Sequence, residues 1–191
     1  MSCNLLKNKT IEKFYDSLCS RSTLIFYIAW SSLLLYCILN NLHHYGLKTH
    51  GIEGYPGVSA VTSLTGICFV LTSVTLPVGI ILKFREKPLA LWIGTLLLGS
   101  LILALSDSFG IQNPYVDDPF MNEPLKMFLS SWSSWTTVMT FFYAIPLGIV
   151  YGVLRWRNKQ AKIEAGWNIA GGILLILTIA LIVSDFMLSH T

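Results

Sequence analysis

The chain has 191 residues, of which 53% are hydrophobic and only 12% charged, with a net charge of +3 and a mean hydropathy of +0.61. Soluble domains carry about a quarter charged residues, so these values exclude a water-soluble globular protein and leave an integral membrane protein. Nothing in so small a positive charge calls for a nucleic-acid partner; the first partner implied is the lipid bilayer itself.

Residues 1–21 hold Leu5, Leu6, Ile11, Phe14, Tyr15 and Leu18 at helical spacing, with Lys7, Lys9, Glu12, Lys13 and Asp16 between them. That pattern predicts a short amphipathic helix lying on the cytoplasmic lipid surface. It is not a cleavable signal, because the apolar run after Arg21 is too long for a signal core and no convincing small-residue cleavage site follows it.

A bilayer core of about 30 Å needs roughly 20 apolar residues of helix. Uncharged runs of that length place spans at 22–42, 58–82, 88–107, 127–154 and 165–185, the third and fifth runs ending at Ser106 and Ser184 just before Asp107 and Asp185. An all-α membrane domain of five transmembrane helices is therefore predicted. Lipid offers no partner to an unpaired backbone amide, and the runs lack the alternation that a membrane barrel needs.

Between the first two spans, residues 43–57 are predicted as an outer loop carrying His43, His44, His50 and Glu53. Imidazole and carboxylate are competent ligands for zinc or copper, and His190 is predicted on the same side. Against a metal site, His44 and His50 lack the i, i+4 spacing that sets two ligands on one helix face. Ordinary interfacial histidines, or a proton sensor, are the other readings. The second outer loop, 108–126, contains Asn113-Pro114, Asp117-Asp118-Pro119 and Glu123-Pro124. Prolines with acidic neighbours make turns, and the regular ligand spacing of a dedicated calcium loop is missing.

The 13 lysines and arginines set the orientation: Lys48 and Lys126 lie on one side, and all the rest precede span one or fill the turns after spans two and four. The cytoplasmic bias of basic residues then puts the amino terminus inside and the carboxyl terminus outside, a pattern that fits a bacterial inner membrane. Trp132, Trp135, Trp156 and Trp167 fall near span ends, as interfacial tryptophans do.

A weak internal echo runs through the last four spans. Residues 76–107 read L-P-V-G-I-I, then K-F-R, then an apolar run ending in Ser106-Asp107; residues 145–185 read I-P-L-G-I-V, then R-W-R, then an apolar run ending in Ser184-Asp185. Spans 2–3 and 4–5 thus form a parallel two-helix repeat, which brings Asp107 and Asp185 out on the same face. A carboxylate within lipid is costly and marks proton or ion pathways, whereas one at a span end can simply reach headgroup water. Pro77 and Pro146 interrupt the second and fourth spans at matching places, as transporter sites often do. Gly148 and Gly152 form a G-x-x-x-G through which another helix backbone could pack.

Several chemistries lack their residues. Cys3 and Cys19 lie on the cytoplasmic side and Cys37 and Cys68 within spans, with no C-x-x-C, so a membrane thiol oxidoreductase has no reactive pair. No lysine sits inside a span for a Schiff base, no serine elbow or phosphate loop is present, and no histidine lies within a span to hold haem. An enzyme is disfavoured and no cofactor is assigned. Three readings remain: a non-catalytic subunit of a membrane complex, partnered by other membrane proteins or by copies of itself; a small proton- or cation-coupled carrier using Asp107, Asp185 and the Pro77 and Pro146 kinks; and an outward-facing metal or ligand binder using His43, His44 and His50.

Overall fold

The structure, a computed structural model, describes residues 17, 20–54, 57–84, 87–110, 123–157 and 165–188. Among them there is no strand. The helices are α1 (Ser22–Gly54), α2 (Val58–Phe84), α3 (Leu89–Phe109), α4 (Pro124–Met139), α5 (Ile145–Arg157) and α6 (Ala165–Leu188), with a π turn, Thr140–Ala144, joining α4 to α5 without a break. Five helices are long and apolar enough to cross a membrane, counting α4, the π turn and α5 as one. The predicted amphipathic helix over 1–21 lies almost wholly outside the described residues, as do the turns between 111 and 122 and the terminal His190.

Several helix boundaries differ from expectation by two or more residues, and two of them have a clear local cause. The segment 43–57, expected as a loop, is helical to Gly54, so that α1 is a 33-residue helix carrying His43, His44 and His50. Polar residues end an apolar run without ending a helix, since the backbone bonds are satisfied either way. The bend comes at Gly51, whose φ of 69° and ψ of 178° leave the helical region and suit a residue without a Cβ. α4 begins at Pro124 instead of Met127. Proline is preorganised for a first helical turn, where its missing N–H would have no partner anyway, and Glu123 just before it pairs with Lys126 at 2.6 Å.

The helices pack in two groups. α1 lies along α2, while α3, α4 and α6 pack on one another; α1 and α2 touch the second group much more lightly. α1 and α2 come close because Gly79 is there: a Cβ on it would stand 3.2 Å from the Phe26 Cα. At that contact Ser32 Oγ and Thr72 Oγ1 share a buried hydrogen bond of 2.8 Å. Trp92 ties the groups together, donating from Nε1 to the Phe84 carbonyl at 2.8 Å and meeting Tyr151 edge-on at 5.2 Å. α2 lies mainly along α1 and touches α3 only lightly.

The two interrupting prolines are handled differently. Pro77 lies within a continuous α2, whereas Pro146 is the second residue of α5, directly after the π turn. There the Ile145 N–H reaches back five residues to the Thr140 carbonyl, a wider winding that accommodates a ring which cannot donate.

Candidate functional site

The polar chemistry of the described residues gathers at the end of the bundle where α3 finishes, around the run Ser130-Ser131-Trp132-Ser133-Ser134-Trp135 of α4. Residues four apart share a helix face, and this run uses the rule twice. Ser131 and Trp135 point together at Asp107 of α3: Ser131 Oγ donates to Oδ2 at 3.1 Å and Trp135 Nε1 donates to the same oxygen at 2.5 Å. Trp132 and Thr136 point together at Ser100, two turns further in along α3, with Trp132 Nε1 donating to Ser100 Oγ at 3.2 Å and Thr136 Oγ1 lying 3.1 Å from it. Ser134, on the neighbouring face, donates to Asp185 Oδ1 of α6 at 2.6 Å.

Both carboxylates are therefore held by one turn of α4, from two sides. Each is partly buried, and neither forms an ion pair with a described lysine or arginine. The described groups that meet the two carboxylates are thus neutral N–H and O–H donors from α4. α1 completes the cluster: Asn41 Nδ2 donates to Ser106 Oγ and to the Cys37 carbonyl, each at 2.9 Å. A Cβ on Gly110 would overlap the Asn41 side chain, so the residue closing α3 must be small.

The histidines form no comparable centre. His43 and His44 rings stand 5.7 Å apart, and His43 Nδ1 lies 3.5 Å from Thr62 Oγ1 of α2. His50 falls two turns along α1, a rise of about 10 Å, too far to share a metal with them. Among the described residues no three His, Cys, Asp or Glu side chains converge on one point. The metal-binding arrangement expected of His43, His44 and His50 as a loop is thus replaced by positions spread along a helix. His44 Nδ1 is buried without a hydrogen-bond partner among the described residues, as are Ser108 Oγ and Ser133 Oγ.

Gly148 and Gly152, expected as a packing face, are exposed on α5 with nothing within 4 Å of where a Cβ would stand. Glycines that do receive neighbours are elsewhere: Gly79 against Phe26, Gly94 against Leu174, Gly99 against Met139, Gly110 against Asn41 and Gly171 against Ala90. Sequence reasoning assigned Trp132 and Trp135 to interfacial anchoring, and it missed that both indole N–H groups bond within the protein. The available signal was the four-residue spacing of Ser131 with Trp135 and of Trp132 with Thr136.

The fold and composition define a multi-pass helical membrane protein. Comparison with family models, with curated proteins and with solved structures finds no match to this chain.

Proposed function

We propose that the protein is a non-catalytic subunit or accessory factor of a larger membrane assembly, held there through α5. The observation that carries this reading is the open glycine pair. Helices in lipid gain little by hiding apolar surface from other apolar surface, so close packing at small residues is what holds them together. Gly148 and Gly152 offer such an approach, flanked by Ile145, Ile149 and Val153 at 49%, 66% and 50% exposure, and the described chain leaves it unused. A helix of another membrane protein, or of a second copy, fits that face. In the same reading the Lys83 end of the bundle faces the cytoplasm of a bacterial cell, as the basic segments favour.

Purification in a mild detergent, read by native mass and by mass spectrometry of companions, tests this. The wild-type chain is expected in a complex, and Gly148→Ile with Gly152→Ile should release it as a lone chain with unchanged thermal stability. A monodisperse single wild-type chain, or a doubly substituted protein that keeps its companions, would reject the proposal.

A second reading, a small proton- or cation-coupled carrier, is favoured by the meeting of Asp107 and Asp185 on one turn of α4. It predicts that Asp107→Asn and Asp185→Asn each abolish uptake in proteoliposomes while leaving the fold intact. Structural carboxylates that merely clamp α4 would instead show reduced melting temperature and no selective loss of flux.

A further inference from the structure

Where the two helix groups diverge they leave a cleft of about 450 Å³, bounded by Tyr36 of α1, Ser73 of α2, Leu103 of α3, Trp135 of α4, and Phe142 and Tyr143 of the π turn. Its walls are almost wholly apolar and rich in aromatic rings. Phe142, 70% exposed, and Val138, 41% exposed, leave it open along the side of the bundle, which in a bilayer is the lipid side. The volume lies within the range of sites for drug-sized molecules, about 300–1,000 Å³.

Three features give this cleft a negative bias. Leu103 and Asp107 are four residues apart on α3, so the carboxylate follows the cleft wall one turn outward. Asp107 receives both of its hydrogen bonds on Oδ2, including the one from the cleft-lining Trp135, and Oδ1 takes none from the described residues. Finally, Pro77 has no N–H to offer the carbonyl four residues earlier, which belongs to Ser73 on the cleft wall.

We propose that this cleft binds a lipophilic organic cation that enters from the bilayer, its apolar groups against Tyr36, Trp135, Phe142 and Tyr143 and its charge facing Asp107. An aromatic box with a carboxylate at its end attracts a desolvated cation through the ring faces and through the charge together. An acyl chain alone would leave the carboxylate unanswered, and an anionic amphiphile would be repelled. The claim concerns binding, goes beyond the subunit reading, and requires neither that reading nor the carrier reading.

The test uses the full chain in phosphatidylcholine nanodiscs, titrated with tetraphenylphosphonium and with an uncharged tetraphenyl analogue of similar size, against empty nanodiscs. Saturable binding of the cation is expected, with a loss of about tenfold or more in affinity, equivalent to 1.4 kcal/mol, for Asp107→Asn. Asp107→Glu should retain binding, and Val138→Trp, which fills the cleft from its exposed side, should remove it. Asp185→Asn, facing α4 through Ser134, should bind as wild type. Equal affinity for the uncharged analogue would make the cleft an unselective lipid groove and overturn the proposal. So would undiminished binding by Val138→Trp, an arm that decides the matter even if Asp107→Asn fails to fold.

Discussion

Gly79→Leu is expected to force α1 away from α2 and lower stability by about 3 kcal/mol, the upper part of the usual range for overpacking a tight contact. The obstacle is backbone: a Cβ at position 79 meets the Phe26 Cα at 3.2 Å, and a Cα cannot rotate aside as a side chain can. Separating the helices would also pull apart Ser32 Oγ and Thr72 Oγ1, now 2.8 Å apart, and stretch the 2.7 Å bond from Lys83 Nζ to Thr23 Oγ1. The effect should be graded, with Gly79→Ala mild because its neighbour must give by only a few tenths of an ångström. Gly66, with nothing within 4 Å, is the internal control on the same helix. Denaturant titration in detergent micelles reads the series. Equal stability of Gly79→Leu and Gly66→Leu would show that the close approach of α1 and α2 is not what holds them.

Trp135→Phe should cost about 2 kcal/mol through a single missing N–H. The ring and most of its contacts remain, while Asp107 keeps only the 3.1 Å bond from Ser131 and loses the 2.5 Å bond from the indole. Hydrogen bonds to an ionised acceptor are about twice as strong as neutral ones, so Trp132→Phe should cost nearer 1 kcal/mol, its acceptor being the neutral Ser100 hydroxyl at 3.2 Å. A double-mutant cycle of Trp135→Phe with Asp107→Asn isolates the pair. Coupling close to the single-mutant loss is the expected result, and simple additivity would mean that the indole and the carboxylate do not act on each other.

The five spans were legible because lipid imposes one strong constraint, long uncharged helix, and the sequence satisfies it five times. What ends a helix was less legible. His43, His44 and Lys48 break the apolar run after Leu42, yet α1 continues past them, bending only at Gly51. Both aspartates were visible as a matched pair, but the turn of α4 that holds them was hidden behind the reading of its tryptophans as headgroup anchors. An indole N–H serves either role, and only the spacing of its neighbours tells them apart. The cleft was not legible at all: it arises where α1 and α2 part from α4, and no local pattern encodes a gap between segments distant in sequence. Pro146 announced a disturbance without saying that a π turn would absorb it.

That π turn, Thr140–Ala144, has the effect of one residue inserted into an otherwise regular helix. Every position after it is displaced by about 100° from the azimuth it would hold in a straight α-helix. The stripe of hydroxyls and indoles that faces α3 before the turn is consequently not continued after it, and Gly148 and Gly152 come to lie on a different side of the same rod. A single span thus presents two differently aimed faces in tandem: the first packs on α3, while the second sets Leu147 and Tyr151 inward and leaves the two glycines outward. The two halves can vary separately, since a change in either leaves the angular setting of the other untouched.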